Sequence, residues 1–133
     1  MDHEVVIVED DPDILEVLVE MLEDGGFQPI AFRDARSALA YTMRRPPALI
    51  ITDLVMAGMS GEQFIQYVRE RCEPRIPILV TSASSNTSAI ASLPIQGYVG
   101  KPFDIGELLE AARRCTAGAS TTVQTAATRA SAG

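Results

Sequence analysis

The sequence predicts an α/β fold, a doubly wound sandwich in which a five-stranded parallel sheet carries helices on both faces. Three observations lead there. Short β-branched or apolar runs recur along 133 residues. Most are followed by a capping residue and an apolar pattern at helical spacing, so the order reads as a βα unit repeated five times. Strands that alternate with helices must lie parallel, because each right-handed crossover returns over the sheet.

Glu4 to Val8 is the first strand, and Asp11-Pro12 then offers an N-cap with proline at the first helical position. Ile14, Leu15, Leu18, Met21 and Leu22 form that helix's apolar stripe, and Asp24-Gly25-Gly26 ends it. Phe27 to Phe32 is a second strand. Asp34 caps a helix with Ala35, Ala38, Leu39 and Met43 inward, and Arg44 and Arg45 fall in its last turn, where the helix dipole favours cations. Pro46 and Pro47 close it.

Leu49-Ile50-Ile51-Thr52-Asp53 is an unbroken apolar run that ends in a carboxylate, as expected of a strand buried on both faces. Ser60-Gly61-Glu62-Gln63 fits a capping box, and Phe64, Ile65, Val68 and Cys72 are the stripe of the third helix. Ile78 to Thr81 is a fourth strand ending at Ser82-Ala83, and Tyr98-Val99-Gly100 a fifth ending at Lys101-Pro102. Asp104 caps a last helix with Leu108, Leu109 and Ala112 inward. Between the last two strands only 84–93 remain for a fourth helix before Pro94. That segment is rich in Ser, Asn and Thr, so a short or irregular, mobile helix is expected over Ala83 to Pro94.

The size is that of one domain with one core. A domain over 1–115 is expected, followed by a disordered Ala, Ser and Thr rich tail over 116–133, with no output domain after the last helix. No apolar run approaches the roughly 18 residues of a membrane span, and no basic region opens a signal peptide, so a cytoplasmic chain without membrane contact is expected. Cys72 and Cys115 lack metal-ligand spacing and read as packed, reduced thiols. Formal charge is -7, and residues 1–24 hold ten acids and no Lys or Arg, which disfavours direct nucleic-acid binding. Surface solvation explains Glu16, Glu20, Glu23 and Asp24, but not Glu9 and Asp10 directly after an apolar strand.

In a parallel sheet, ligands gather at the carboxyl ends of the strands. Glu9 and Asp10, Asp53, Ser82 and Lys101 all stand there. Each alone has an ordinary reading as a turn acid, a cap or a solvated charge, but those readings do not explain their joint position. Lys101 is also the only lysine against ten arginines. Two carboxylates at ~5 Å with an effective dielectric of about 20 repel by roughly 3 kcal/mol. Lys101 offsets one charge, and a hard divalent ion such as Mg²⁺ suits the remainder.

Four spaced motifs now carry a resemblance: Val6-Ile7-Val8-Glu9-Asp10-Asp11-Pro12, then Asp53 through Gly61, then Pro77 through Ala83, then Gly97 through Phe103. Over about residues 4–115 the chain resembles the receiver domain of two-component response regulators, of the stand-alone, single-domain type. The resemblance implies a flavodoxin-like strand order of 2-1-3-4-5. It implies Asp53 as the phosphorylated aspartate, Glu9 and Asp10 as the acid pair, and Lys101 as the contact to the phosphoryl group. Ser82 becomes the switch hydroxyl, Tyr98 the switch aromatic, and the backbone carbonyl of Val55 a further Mg²⁺ ligand. Such a protein takes its phosphoryl group from a sensor histidine kinase or a histidine phosphotransfer protein. It catalyses its own phosphorylation and slow autodephosphorylation, and it acts on a downstream protein target, with a homodimer open as one arrangement.

Two departures stand out. Ala57 replaces the family's usual proline, and the interval from Ser82 to Lys101 is about three residues short, which bears on the fourth helix and its output face. One alternative is a pseudo-receiver that binds proteins without being phosphorylated. An aspartate-nucleophile phosphatase is disfavoured because Val55 stands where a second Asp is usual, and flavin binding lacks a phosphate loop after the first strand.

Overall fold

The computed structural model describes residues 3–83 and 90–117, with the backbone of the last helix followed to Ser120. The elements run β1 (Glu4–Val8), α1 (Pro12–Asp24), β2 (Gln28–Phe32), α2 (Ala35–Arg44), β3 (Leu49–Asp53), α3 (Gly61–Arg71), β4 (Ile78–Ser82), β5 (Gly97–Gly100) and α4 (Ile105–Ser120). All four strand pairs are parallel and the order is β2-β1-β3-β4-β5. The fold and order expected from the sequence are those observed.

Strand alternation divides the core into two layers. Val6, Val8, Ile50, Ile78 and Val80 face α2 and α3. Val5, Ile7, Leu49, Ile51, Leu79 and Val99 face α1 and α4. β1, β3 and β4 are buried along their whole length, whereas β2 lies at the sheet edge, half-exposed, where Pro29 is tolerated. Cys72 borders one layer and Cys115 the other, both as free thiols whose pKa burial pushes up.

The expected caps are present. Asp11 accepts from the amides of Asp13 and Ile14, Asp34 from Ser37, and Asp104 from Glu107. Ser60 and Gln63 form the reciprocal capping box.

Two readings need correction or extension. Arg45 lies just outside α2, and its guanidinium binds the Glu4 carboxylate (2.9–3.2 Å) instead of the helix end, while the Tyr41 hydroxyl donates to the same group at 3.0 Å. The backbone of the last helix is followed past Cys115 to Ser120. The remainder of the expected tail, 121–133, lies outside the described residues. So do residues 84–89 of the expected short helix; at its far flank Ile90 is helical and buried, and Leu93 packs against the same layer.

Arg69 was not anticipated. Its guanidinium donates to the carbonyls of Pro94 (3.0 Å), Pro74 (2.9 Å) and Ile76 (2.8 Å) and to Oε1 of Gln96 (3.0 Å). The same Gln96 oxygen accepts the Ile78 amide at 2.8 Å. One planar fork thus clasps the loop entering β4 to the segment entering β5, a geometry an ammonium cannot match. It holds the end of the shortened interval. Among the described residues, no helix is long and apolar enough to cross a membrane.

The Glu4 cluster gives a pH prediction. The Arg45 hydrogen bond holds the Glu4 carboxyl below the ordinary glutamate value; burial opposes this, and the Tyr41 hydroxyl adds to it. A depressed folded pKa contributes stability above the unfolded value of about 4.3 that is lost as pH falls through the folded one. Glu4→Gln should therefore cost up to about 1 kcal/mol near neutrality, since Arg45 is largely exposed and screened. Urea titrations of both proteins should converge as pH falls below the unfolded glutamate value and through the depressed folded one. A gap that persists undiminished there would contradict the assignment.

Candidate functional site

The alternation that builds the core also builds the site. Val5 and Ile7 lead to Glu9, Leu49 and Ile51 to Asp53, and Val99 to Lys101, so the three charged side chains extend one face of the sheet beyond its carboxyl edge. The register sets Asp53 beside Thr81 and Ser82 beside Gly100. A backbone bond from the Lys101 amide to the Ser82 carbonyl (2.9 Å) carries this order one residue further.

Lys101 Nζ lies 2.9 Å from Glu9 Oε1 and 3.0 Å from Asp53 Oδ2. The second oxygens are engaged too: Glu9 Oε2 accepts the Asp11 amide at 3.1 Å, and Asp53 Oδ1 the Leu54 amide at 2.7 Å. Burial pulls the Lys101 ammonium toward its neutral form. The hydrogen bonds and charges of Glu9 and Asp53 outweigh that, and its pKa ends above the ordinary lysine value. The amine is a fixed cation.

Glu9 and Asp53 are buried and Asp10 is half-exposed. Carboxylate oxygens of all three lie within 4.8 Å of one another. Asp10 is the least committed, with one long bond (3.4 Å) from the Ala57 amide. Its main-chain carbonyl accepts from Arg33 at 3.3 Å, a contact from β2's end that nothing in the local sequence signals. One ammonium against three carboxylates leaves a net charge of -2, and hard oxygen donors at this spacing fit a small divalent cation. Val55 begins the loop beyond Asp53 and Leu54, with its side chain 75% exposed.

Two glycines shape the surroundings. Gly61, the first residue of α3, presses on the main chain of Asp53 and Leu54, and its amide donates to the Leu54 carbonyl at 2.9 Å. Gly100 leaves room for Tyr98, whose hydroxyl lies 3.2 Å from where a Cβ at Gly100 would stand. Tyr98 pairs with Val80 and borders the α2/α3 layer, the face on which Ser82 follows Ile78 and Val80. Ser82 is buried. The two residues therefore neighbour each other on the opposite face of the sheet from Lys101. Beside Lys101, on its outer side, an open cleft of about 490 Å³ is lined by Asp13, Ile14, Val17, Pro102 and Phe103.

The family model of the response regulator receiver domain matches residues 5–113. The chain belongs to that family. It is 32% identical over 114 residues to the nitrogen assimilation regulatory protein NtrX of Azorhizobium caulinodans, covering 82% of this chain and 25% of that one. It is 38% identical over 108 residues to the sensor histidine kinase TmoS of Ectopseudomonas mendocina, covering 78% of this chain and 11% of the kinase. The chain thus spans a quarter or less of these two relatives. Among solved structures, the chemotaxis protein CheY4 of Vibrio cholerae superposes with a TM-score of 0.80 at 26% identity, covering 86% of this chain and 99% of CheY4.

Proposed function

We propose that Asp53 accepts a phosphoryl group from a phosphohistidine on a sensor histidine kinase or histidine phosphotransfer protein, and that the phosphorylated chain signals through a downstream protein target. The observation that carries this reading is the Asp53 carboxylate itself. It is held at a strand end by the Leu54 amide and Lys101, within 4.8 Å of two further carboxylates.

In the proposed reaction an Asp53 oxygen attacks phosphorus as the phosphorus–nitrogen bond breaks and its electron pair returns to the imidazole ring. Lys101 Nζ, 3.0 Å from Asp53 Oδ2, would hold an equatorial phosphoryl oxygen. Glu9, Asp10, Asp53 and the Val55 carbonyl would hold Mg²⁺, with Glu9 also bonded to Lys101. When bound, the ion supplies positive charge to the phosphoryl oxygens. Ser82 would turn toward the phosphoryl group and Tyr98 would follow it, a pairing supported by their shared face beside Gly100.

Intact mass after incubation with acetyl phosphate and Mg²⁺ tests the reading. One phosphoryl group should be gained, none with EDTA, and none in Asp53→Asn. A label that maps elsewhere, or an unlabelled wild type, would sink it and leave the pseudo-receiver.

A further inference from the structure

Charge and apolar exposure are divided between the two faces of this molecule in a way the phosphorylation site does not use. On one face, α1 exposes Asp13, Glu16, Glu20, Glu23 and Asp24 around Val17, which is 44% exposed. No basic residue lies on that helix, and among the described residues none of these five acids forms an ion pair.

On the other face, α2 and α3 pack side by side and leave a groove of about 250 Å³. Met43 (49% exposed), Met59 and Tyr67 supply its apolar surface. Arg36 rims one side, and Arg71 the other with its guanidinium 4.6 Å over the Tyr67 ring. Arg44 adds a third cation on α2, which has no acid within it. The acids of α3 stand on a neighbouring stripe, where Glu70 binds Gln66, and Glu73 beyond it pairs with Arg75. Among the described residues, no acid lines the groove.

The two surfaces are complementary: an acidic helix face with one central aliphatic side chain, and a methionine and tyrosine groove flanked by arginines. They cannot meet within one molecule, because α1 and the α2/α3 pair lie on opposite sides of the sheet. We infer that the α2/α3 groove binds α1 of a second copy, with Val17 against Met43 and Tyr67, and Glu16 and Glu20 toward Arg36 and Arg71. The contact is heterologous, so each copy keeps one free α1 and one free groove, and association runs head to tail. Exposed ion pairs are weak and screened by salt, so the assembly is concentration-dependent.

Sedimentation of the full chain over a concentration series tests this. The wild type should associate progressively, about tenfold more weakly at high than at low salt. The groove variant Arg36→Glu/Arg71→Glu keeps α1, and the helix variant Glu16→Gln/Val17→Ser/Glu20→Gln keeps the groove. All five substituted residues are exposed, so both should melt like the wild type. Each alone should remain monomeric, while an equimolar mixture should form a 1:1 pair and nothing larger, because only one competent contact exists between them. A wild type that stays monomeric throughout, a variant that associates like the wild type, or a mixture without the pair would overturn the proposal.

Discussion

Lys101→Met should destabilise the metal-free protein by about 3 kcal/mol at neutral pH, the cost of leaving a buried charge without its partner. Glu9 exposes 2% of its side chain and Asp53 9%, and Lys101 is the only cation bonded to either among the described residues. Without it, each carboxylate keeps only one amide donor while facing the other and Asp10. Repulsion among the three carboxylates is then unopposed. If the folded cluster holds Mg²⁺ as proposed, millimolar Mg²⁺ should narrow the same deficit near neutrality. Urea unfolding of both proteins at neutral pH, with Mg²⁺ or EDTA, checks both statements. A variant as stable as the wild type in every condition would mean that the Glu9, Asp53 and Lys101 contacts carry no net energy.

Why this cluster could be read from sequence, and other contacts could not, has a physical basis. Glu9, Asp53 and Lys101 sit at or one residue past the ends of apolar runs, and period-two alternation fixes both the edge and the face each occupies. Tertiary structure adds distances, and the convergence itself follows once the strand order, which the family resemblance implies, is in place. Arg69 is a different case. Its oxygen partners come from two loops, at 74–76 and 94–96, whose adjacency depends on the lengths of α3 and of the β4–β5 connection. No local pattern marks an arginine that serves carbonyls. Arg45 misled for a related reason: the helix dipole offers a nearby explanation worth at most about 1 kcal/mol at an exposed site, and a carboxylate 41 residues away in sequence, at Glu4, competes successfully for the guanidinium.

Gly61→Ala should be the most damaging substitution that removes no chemical group. A Cβ at this position would overlap the Asp53 carbonyl oxygen and lie 2.6 Å from the Leu54 Cα, and these are main-chain atoms with no rotamer to escape into. Either α3 must move away, breaking the Gly61 amide bond to Leu54, or the end of β3 must shift. Both outcomes displace Asp53 relative to Lys101, whose position is set independently through β5 and the Ser82 carbonyl. Overpacking of this kind costs about 3 kcal/mol. Gly97→Ala provides the contrast, since its added methyl would meet the tip of Leu79 at 2.9 Å, a flexible side chain that can turn aside. Thermal melts should rank the variants wild type, Gly97→Ala, then Gly61→Ala. Labelling by acetyl phosphate should fall sharply only in Gly61→Ala, measured at a temperature where all three are folded. Equal labelling in the three proteins would show that the Asp53 carboxylate tolerates movement of its strand end, and that the close approach of Gly61 serves packing alone.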